Sequence, residues 1–342
     1  MPDDLRAGTA PLELWRPGSK RITDARENNF WSEYGYHHSE TVLRNRPVVF
    51  AIEGTNYCNI KCVMCPRGEP DIMTRELGHM STELLERIVN QADFFTEPAW
   101  LHWFGEPLMN PNIWEHIAIA KRKVTNLGLS TNATLLTSEN SDRLLRSGID
   151  TVMVAIDGAS KSVYENVRKS LRFSFEDVQA NVEQFLSKKR AKQQKTPFVY
   201  LSMIEMQETQ PEFQDFYEYW RAMGADEVML KPYGNWAGQD EEFNKLATLT
   251  DQTGFRTPRA HPCKTLWQSL VIAWDGRVVP CCYDYDAKEV LGDLRFQTLD
   301  EIWNGPAYVS LRRRELAGRN NSPLCANCTQ APGHQRDRNW GN

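Results

Sequence analysis

The sequence predicts an α/β protein whose larger part is a parallel sheet and whose smaller, C-terminal part is rich in cysteine. Three observations carry this. Six short apolar or β-branched runs alternate with segments of helical periodicity, and the alternation stops near Gln239. The eight cysteines fall into two sets, Cys58, Cys62 and Cys65, then Cys263, Cys281, Cys282, Cys325 and Cys328. A repeating βα unit with buried strands implies a parallel sheet, either open and doubly wound or curved into a barrel, and periodicity leaves that choice open.

The elements follow in order. A polar, Arg-rich extension occupies residues 1–45. The predicted strands are 48–52, 100–104, 127–130, 152–156, 198–204 and 227–231. Between them, helical faces read as Leu84, Leu85, Ile88 and Val89; Ile113, Ile117 and Ala120; Val178, Val182, Phe185 and Leu186; and Phe213, Phe216, Tyr217 and Trp220. Ser174 with Asp177, and Thr209 with Glu212, have capping-box spacing. Residues 46–238 form the predicted core, and 239–342 a linker and second domain. In the latter, 270–274 and 277–279 flank Asp275-Gly276 as a hairpin, and Thr298 with Glu301 opens a helix running toward Arg314.

Composition narrows the function classes. Across 342 residues, 45 acidic against 40 basic side chains give a net charge of −5, which argues against a module held on duplex nucleic acid by phosphate contacts. No run approaches the ~18 apolar residues of a membrane span, and the N-terminus lacks a secretory pattern, so a cytoplasmic protein is expected. In a reducing compartment, grouped thiols bind metal or do chemistry. His37, His38, His79, His102, His116 and His334 are scattered without a metal-binding pair at helical spacing.

Cys58, Cys62 and Cys65 follow the first predicted strand, where loops at the carboxyl edge of a parallel barrel build active sites. Three thiolates can hold three irons of a [4Fe-4S] cube and leave the fourth open. A zinc site, which usually completes four ligands from paired cysteines, is the competing reading. This Cys-x3-Cys-x2-Cys segment resembles the signature of the radical S-adenosylmethionine (SAM) superfamily, and further motifs of that family recur in order. Phe104-Gly105-Glu106-Pro107 is similar to its Gly-Gly-Glu element, which holds the SAM amino group, with Phe104 in place of the first glycine. Ser130 and Asn132 fall where members contact the SAM ribose and carboxylate. Asp157 ends a strand resembling Ser-x-Asp-Gly, with Ala155 in the serine place. Arg168 resembles the arginine that pairs with the SAM carboxylate, and Met203 and Ile204 close the strand where adenine packs. The resemblance implies a partial (β/α)6 TIM-like barrel, in which SAM on the open iron is cleaved by one electron to a 5′-deoxyadenosyl radical.

Cys263, Cys281, Cys325 and Cys328 offer the four thiolates that a fully ligated cluster needs, and zinc would use the same count. With the Asp275-Gly276 hairpin and His261-Pro262-Cys263, they resemble the C-terminal SPASM and twitch domains, in the shorter form with one auxiliary [4Fe-4S] cluster. Cys282 is left over. It either packs as a small buried group, exchanges with Cys281 as ligand, or returns a hydrogen atom to a substrate radical.

The four-ligand pattern resembles family members acting on sugars and aminocyclitols, the 2-deoxy-scyllo-inosamine dehydrogenase and the neomycin epimerase. It implies dehydrogenation of a secondary alcohol, with epimerisation through Cys282 or modification of a ribosomally made peptide as alternatives. Tyr57, His102, Trp103, Glu205, Lys231 and Tyr233 are candidate pocket residues near strand ends. Reduced flavodoxin or ferredoxin is the electron donor that the resemblance implies, and a carbohydrate-like small molecule the substrate.

Overall fold

The computed structural model describes residues 22, 24–69, 71–92, 99–248, 262–318 and 321–328. The N-terminal extension through residue 21, and Thr257, Pro258, His261 and His334, lie outside the described residues.

Among the described residues, nine strands form one sheet in the order β6-β5-β4-β3-β2-β1-β7-β8-β9. The first six are β1 (Val49–Ile52), β2 (Ala99–Trp100), β3 (Leu127–Thr131), β4 (Thr151–Ala155), β5 (Phe198–Ile204) and β6 (Glu227–Lys231), all parallel to their neighbours. Helices α2 (Thr82–Gln91), α3 (Ile113–Ala120), α4 (Ser138–Arg146), α5 (Lys161–Arg168), α6 (Phe175–Ala191) and α7 (Phe213–Met223) follow the strands in turn. Alternate strand residues, among them Phe50, Leu129, Val154, Leu201 and Met203, meet the apolar faces of these helices in the main core. The opposite face of the sheet is left for the site.

The hairpin strands are not a separate sheet. β7 (Ser269–Ile272) pairs parallel to β1 in register Phe50↔Leu270, and β8 (Arg277–Val279) and β9 (Gly292–Asp293) continue antiparallel. The turn is closed by the Gly276 N–H donating to Ala273 O at 2.9 Å, with Gly276 at φ 90°, so the reversal takes a residue more than the tight turn read from the sequence. Among the described residues, no helix is long and apolar enough to cross a membrane.

Several expected elements are corrected. The second strand is only Ala99–Trp100, because the chain must turn at Gly105, φ 81°, where a Cβ would stand 2.7 Å from Thr55 O and Tyr57 O. The capping box at Ser174 and Asp177 forms, whereas Thr209 and Glu212 do not make one. Instead Thr209 Oγ1 donates to Ile204 O, and the Glu212 carboxylate accepts the Ala159 and Ser160 N–H groups ahead of α5. Thr298 and Glu301 do cap a helix, but it stops at Trp303, and Pro306 opens a new one, Pro306–Ala317. The polar extension contains a helix not expected, α1 (Ala25–His37), capped by Asp24 and docked through Ser32 and Tyr36 against Trp267.

Candidate active site

Cys58, Cys62 and Cys65 lie on the loop after β1, packed in one apolar cluster with Ile60, Met64, Val167, Met206 and Ile204. The loop is tied down by Val63 N–H donating to Val167 O at 2.9 Å, so the end of α5 rests on it. Burial and the neighbouring Cys62 charge push Cys58 up to about 12, and the same two causes push Cys65 up to about 12. Burial raises Cys62 as well, opposed by the Arg168 guanidinium, whose Nη1 is 3.4 Å from the Cys62 sulfur. Three crowded thiols that resist ionisation next to one another fit a cationic iron site, which stabilises the thiolates and releases their protons. Among the described residues no three His, Cys, Asp or Glu side chains gather as a single ion requires. A cluster instead takes each thiolate on a different iron.

Around this loop the structure gathers most of the expected SAM-binding residues. Glu106 is buried where the Gly105 turn delivers it, and its carboxylate accepts from Leu108 N–H (3.1 Å), Thr131 Oγ1 (2.8 Å) and Asn132 N–H (2.7 Å). Burial still holds its pKa above the usual carboxylate range, a penalty that an ammonium group placed beside it would offset. Asn132 donates through Nδ2 to Asn59 Oδ1 at 3.0 Å and reaches the Cys58 sulfur at 3.9 Å. Asp157, at φ 57°, accepts the Ile204 N–H at 2.6 Å and pairs with Arg168 at 2.6 Å.

Arg168 is therefore placed beside the cluster loop but is already engaged by Asp157, Cys62 and Ile156 O. Ser130 sits between Leu129 and Thr131 on β3, on the face away from the main core. Met203 is a correction. It is fully buried in the main core between sheet and helices, because strand alternation puts it opposite Ile204, and only Ile204 packs with the cysteine loop.

The structure also shows a hydroxyl that sequence reading missed. Ser202 pairs in register with Ala155, is buried, and its Oγ has no hydrogen-bond partner among the described residues. Its signal was the alternation of β5, which puts Tyr200, Ser202 and Ile204 on one face.

The second cysteine set converges. Cys263, Cys281, Cys325 and Cys328 line one pocket with Ala237, Leu266, Pro280, Tyr283 and Leu324. Burial, with the neighbouring thiols, raises Cys281 well above its ordinary value. Burial and then Glu315 push Cys325 up to about 12. Four thiols around one pocket fit a fully ligated cluster. Cys282 does not line that pocket; it is exposed, and its carbonyl accepts the Trp103 Nε1–H at 2.9 Å. Cys281, not Cys282, is thus the residue placed with the other three.

Of the other candidate pocket residues, His102, beside core-facing Leu101, and Lys231, which ends β6, interact. His102 Nδ1 is buried with no hydrogen-bond partner among the described residues, and burial followed by the Lys231 charge lowers the ring's pKa to about 4, so the ring is neutral. Lys231 lies near Met153, its Nζ 3.8 Å from the sulfur, and burial lowers its pKa while Asp157 opposes. Tyr57 stacks on His79 with ring centroids 4.8 Å apart. The Tyr233 hydroxyl donates to Phe243 O, and the Glu205 carboxylate accepts from Gln210 Nε2.

Comparison with known proteins agrees with this geometry. The family model "Radical SAM superfamily" matches residues 52–216, and the SPASM model, an iron-sulfur cluster-binding domain, matches residues 263–329. An AdoMet-dependent heme synthase of Methanosarcina barkeri is 30% identical over 141 residues, 41% of this chain and 40% of the relative, so the chain spans well under half of that protein. An S-adenosyl-L-methionine-dependent 2-deoxy-scyllo-inosamine dehydrogenase of Niallia circulans is 21% identical over 282 residues, 81% of this chain and 90% of the relative. The crystal structure of Streptococcus suis SuiB bound to precursor peptide SuiA shares the fold, with TM-score 0.63 and 13% identity over 87% of this chain and 74% of that one. The chain belongs to the radical SAM superfamily, an enzyme family using SAM and a [4Fe-4S] cluster, and carries a C-terminal SPASM domain for an auxiliary cluster.

Proposed function

We propose that this enzyme dehydrogenates a secondary alcohol of a sugar or aminocyclitol-type metabolite in the cytoplasm, with reduced flavodoxin or ferredoxin as electron donor. The observation that carries this reading is the neutral His102 ring after β2, whose Nδ1 has no hydrogen-bond partner among the described residues and which feels the Lys231 charge. SAM held at the Cys58, Cys62 and Cys65 site would supply a 5′-deoxyadenosyl radical to take hydrogen from the carbinol carbon. His102 would take the hydroxyl proton, and a cluster held by Cys263, Cys281, Cys325 and Cys328 would accept the remaining electron, giving a ketone. The unpartnered Nδ1 is open to a substrate hydroxyl, while burial and the Lys231 charge make the ring a weaker base than an ordinary histidine. The similarity to the Niallia dehydrogenase over most of both chains supports the alcohol as substrate class.

In this reading Cys58, Cys62 and Cys65 hold the SAM cluster, and Cys263, Cys281, Cys325 and Cys328 the auxiliary one. Gly105, Glu106, Ser130, Asn132, Asp157, Arg168 and Ile204 surround SAM. Arg168 acts largely by neutralising Asp157 and orienting the cysteine loop, since its guanidinium is already engaged. Ser202 supplies the ribose hydroxyl contact that Ala155 lacks. Ser202→Ala should weaken SAM binding about fivefold, the worth of one hydrogen bond, when measured by equilibrium dialysis. Unchanged affinity would remove Ser202 from the site.

Epimerisation is favoured by one observation, the exposure of Cys282, whose backbone carbonyl accepts the Trp103 indole N–H. A substrate panel of deuterated sugars, aminocyclitols and short peptides separates the readings. Dehydrogenation yields a ketone and deuterium in 5′-deoxyadenosine. Product at the original oxidation level, inverted and carrying solvent hydrogen, would replace it with the Cys282 reading. Turnover of peptides alone would replace both.

A further inference from the structure

Trp236 joins the two cysteine loops. It lies after β6, at the end of the predicted core and just before the linker that the sequence places from Gln239. Its Nε1–H donates to Met64 O at 2.7 Å, immediately before Cys65. Its ring packs edge-on to Tyr283, centroids 5.8 Å apart at 85°, and Tyr283 is a wall of the four-cysteine pocket. The next residue, Ala237, lines the same pocket. A second arm leaves the other side of the indole. Phe104 lies 5.4 Å away, Trp103 lies 5.2 Å beyond Phe104, and the Trp103 N–H reaches Cys282 O.

The backbone here is strained. Trp236, Ala237 and Gly238 have φ of 55°, 62° and 67°, and two of the three are not glycine. Left-handed conformations cost about 1–3 kcal/mol each for such residues and persist where the surroundings over-determine them. The surroundings do so. A Cβ on Gly238 would stand 3.0 Å from Asn327 O, one residue before Cys328, and Gln239 Nε2 donates both to Trp236 O (3.0 Å) and to Tyr283 O (2.7 Å). An ordinary linker has no need of this arrangement; a fixed indole between two metal loops does.

We propose that Trp236 is the bridge through which an electron passes between the two iron-sulfur sites. Cleavage of SAM consumes one electron at the first site, and oxidation of a substrate radical with loss of a proton releases one at the second. Returned across the bridge, that electron balances the cycle: alcohol and SAM give ketone, 5′-deoxyadenosine, methionine and one proton, with no net reductant. Passage between the sites rests on the two clusters and not on the identity of the substrate.

The test uses holoenzyme without substrate. Wild type, Trp236→Phe and Trp236→Leu are checked for iron content and Tm, then given less than one equivalent of a photogenerated one-electron reductant. Freeze-quench EPR follows redistribution between the two cluster signals. Trp236→Leu should slow it roughly tenfold, while Trp236→Phe, which keeps a ring between the loops, stays within about threefold of wild type. Midpoint potentials should stay as in wild type. If leucine costs iron, Trp236→Met keeps bulk without a ring and takes its place. Redistribution at the wild-type rate in the ring-less variant, or a slowing accounted for by shifted potentials, overturns the proposal. A failed dehydrogenase assay would leave this measurement untouched.

Discussion

Replacing Cys58, Cys62 and Cys65 together by alanine is expected to lower bound iron from about eight to about four per chain and to abolish 5′-deoxyadenosine formation. The three thiols share one loop and crowd one another, so together they specify one site, and the loss of one cluster should leave the other intact. Cys263, Cys281, Cys325 and Cys328 line a pocket that takes none of its walls from the first cysteine set. Iron and sulfide analysis of anaerobically prepared protein reads the first part, and chromatography of quenched reactions the second. A variant that keeps about eight irons, or that still releases 5′-deoxyadenosine, would contradict the assignment.

The largest stability effect is expected at Glu53. It follows β1 directly, is fully buried, and forms a two-pronged ion pair with buried Arg75. The same carboxylate accepts the Phe104 N–H at 3.3 Å and the Trp274 N–H at 3.1 Å. Arg75 in turn donates to Tyr285 O at 2.7 Å and lies 4.6 Å from the Trp103 ring centroid. One pair thus fastens the end of β1, the turn before Glu106 and the loop after Cys282. Glu53→Ala strips Arg75 of its counter-charge and should cost about 3–5 kcal/mol in denaturant unfolding, the penalty of a buried charge left unpaired. The double change Glu53→Leu with Arg75→Met should recover much of that loss, since an apolar pair of similar volume bears no charge to desolvate. A Glu53→Ala loss below about 1 kcal/mol would show the pair to be no more than a surface-like contact.

What the sequence disclosed and what it concealed divide along physical lines. The cysteine spacing, the Gly-Glu and Asp-Gly turns and the βα alternation are local patterns, and they placed six strands and both metal loops. Residue identity told less about the direction of side chains. Met203 and Ile204 are neighbours in sequence, yet strand alternation sends them to opposite faces. Arg168 stands where expected, but its engagement by Asp157 and Cys62 depends on residues far away in the chain. The choice between Cys281 and Cys282 was open because adjacent residues have the same spacing to every other cysteine within one position. The Glu53–Arg75 pair and the Trp236 link left no trace, since neither is periodic and both depend on tertiary contact. The expected helix toward Arg314 failed at a signal that was visible, Pro306 after Gly305.

The central claim is that the three-cysteine loop holds a cluster with one iron open to SAM. The most direct measurement is anaerobic incubation of the reconstituted enzyme with SAM and a strong low-potential reductant, followed by quantification of 5′-deoxyadenosine and methionine. The account predicts that both appear in equal amounts, and that neither forms in the Cys58, Cys62 and Cys65 variant. SAM bound by intact, reduced enzyme and recovered uncleaved with every substrate class offered would contradict it.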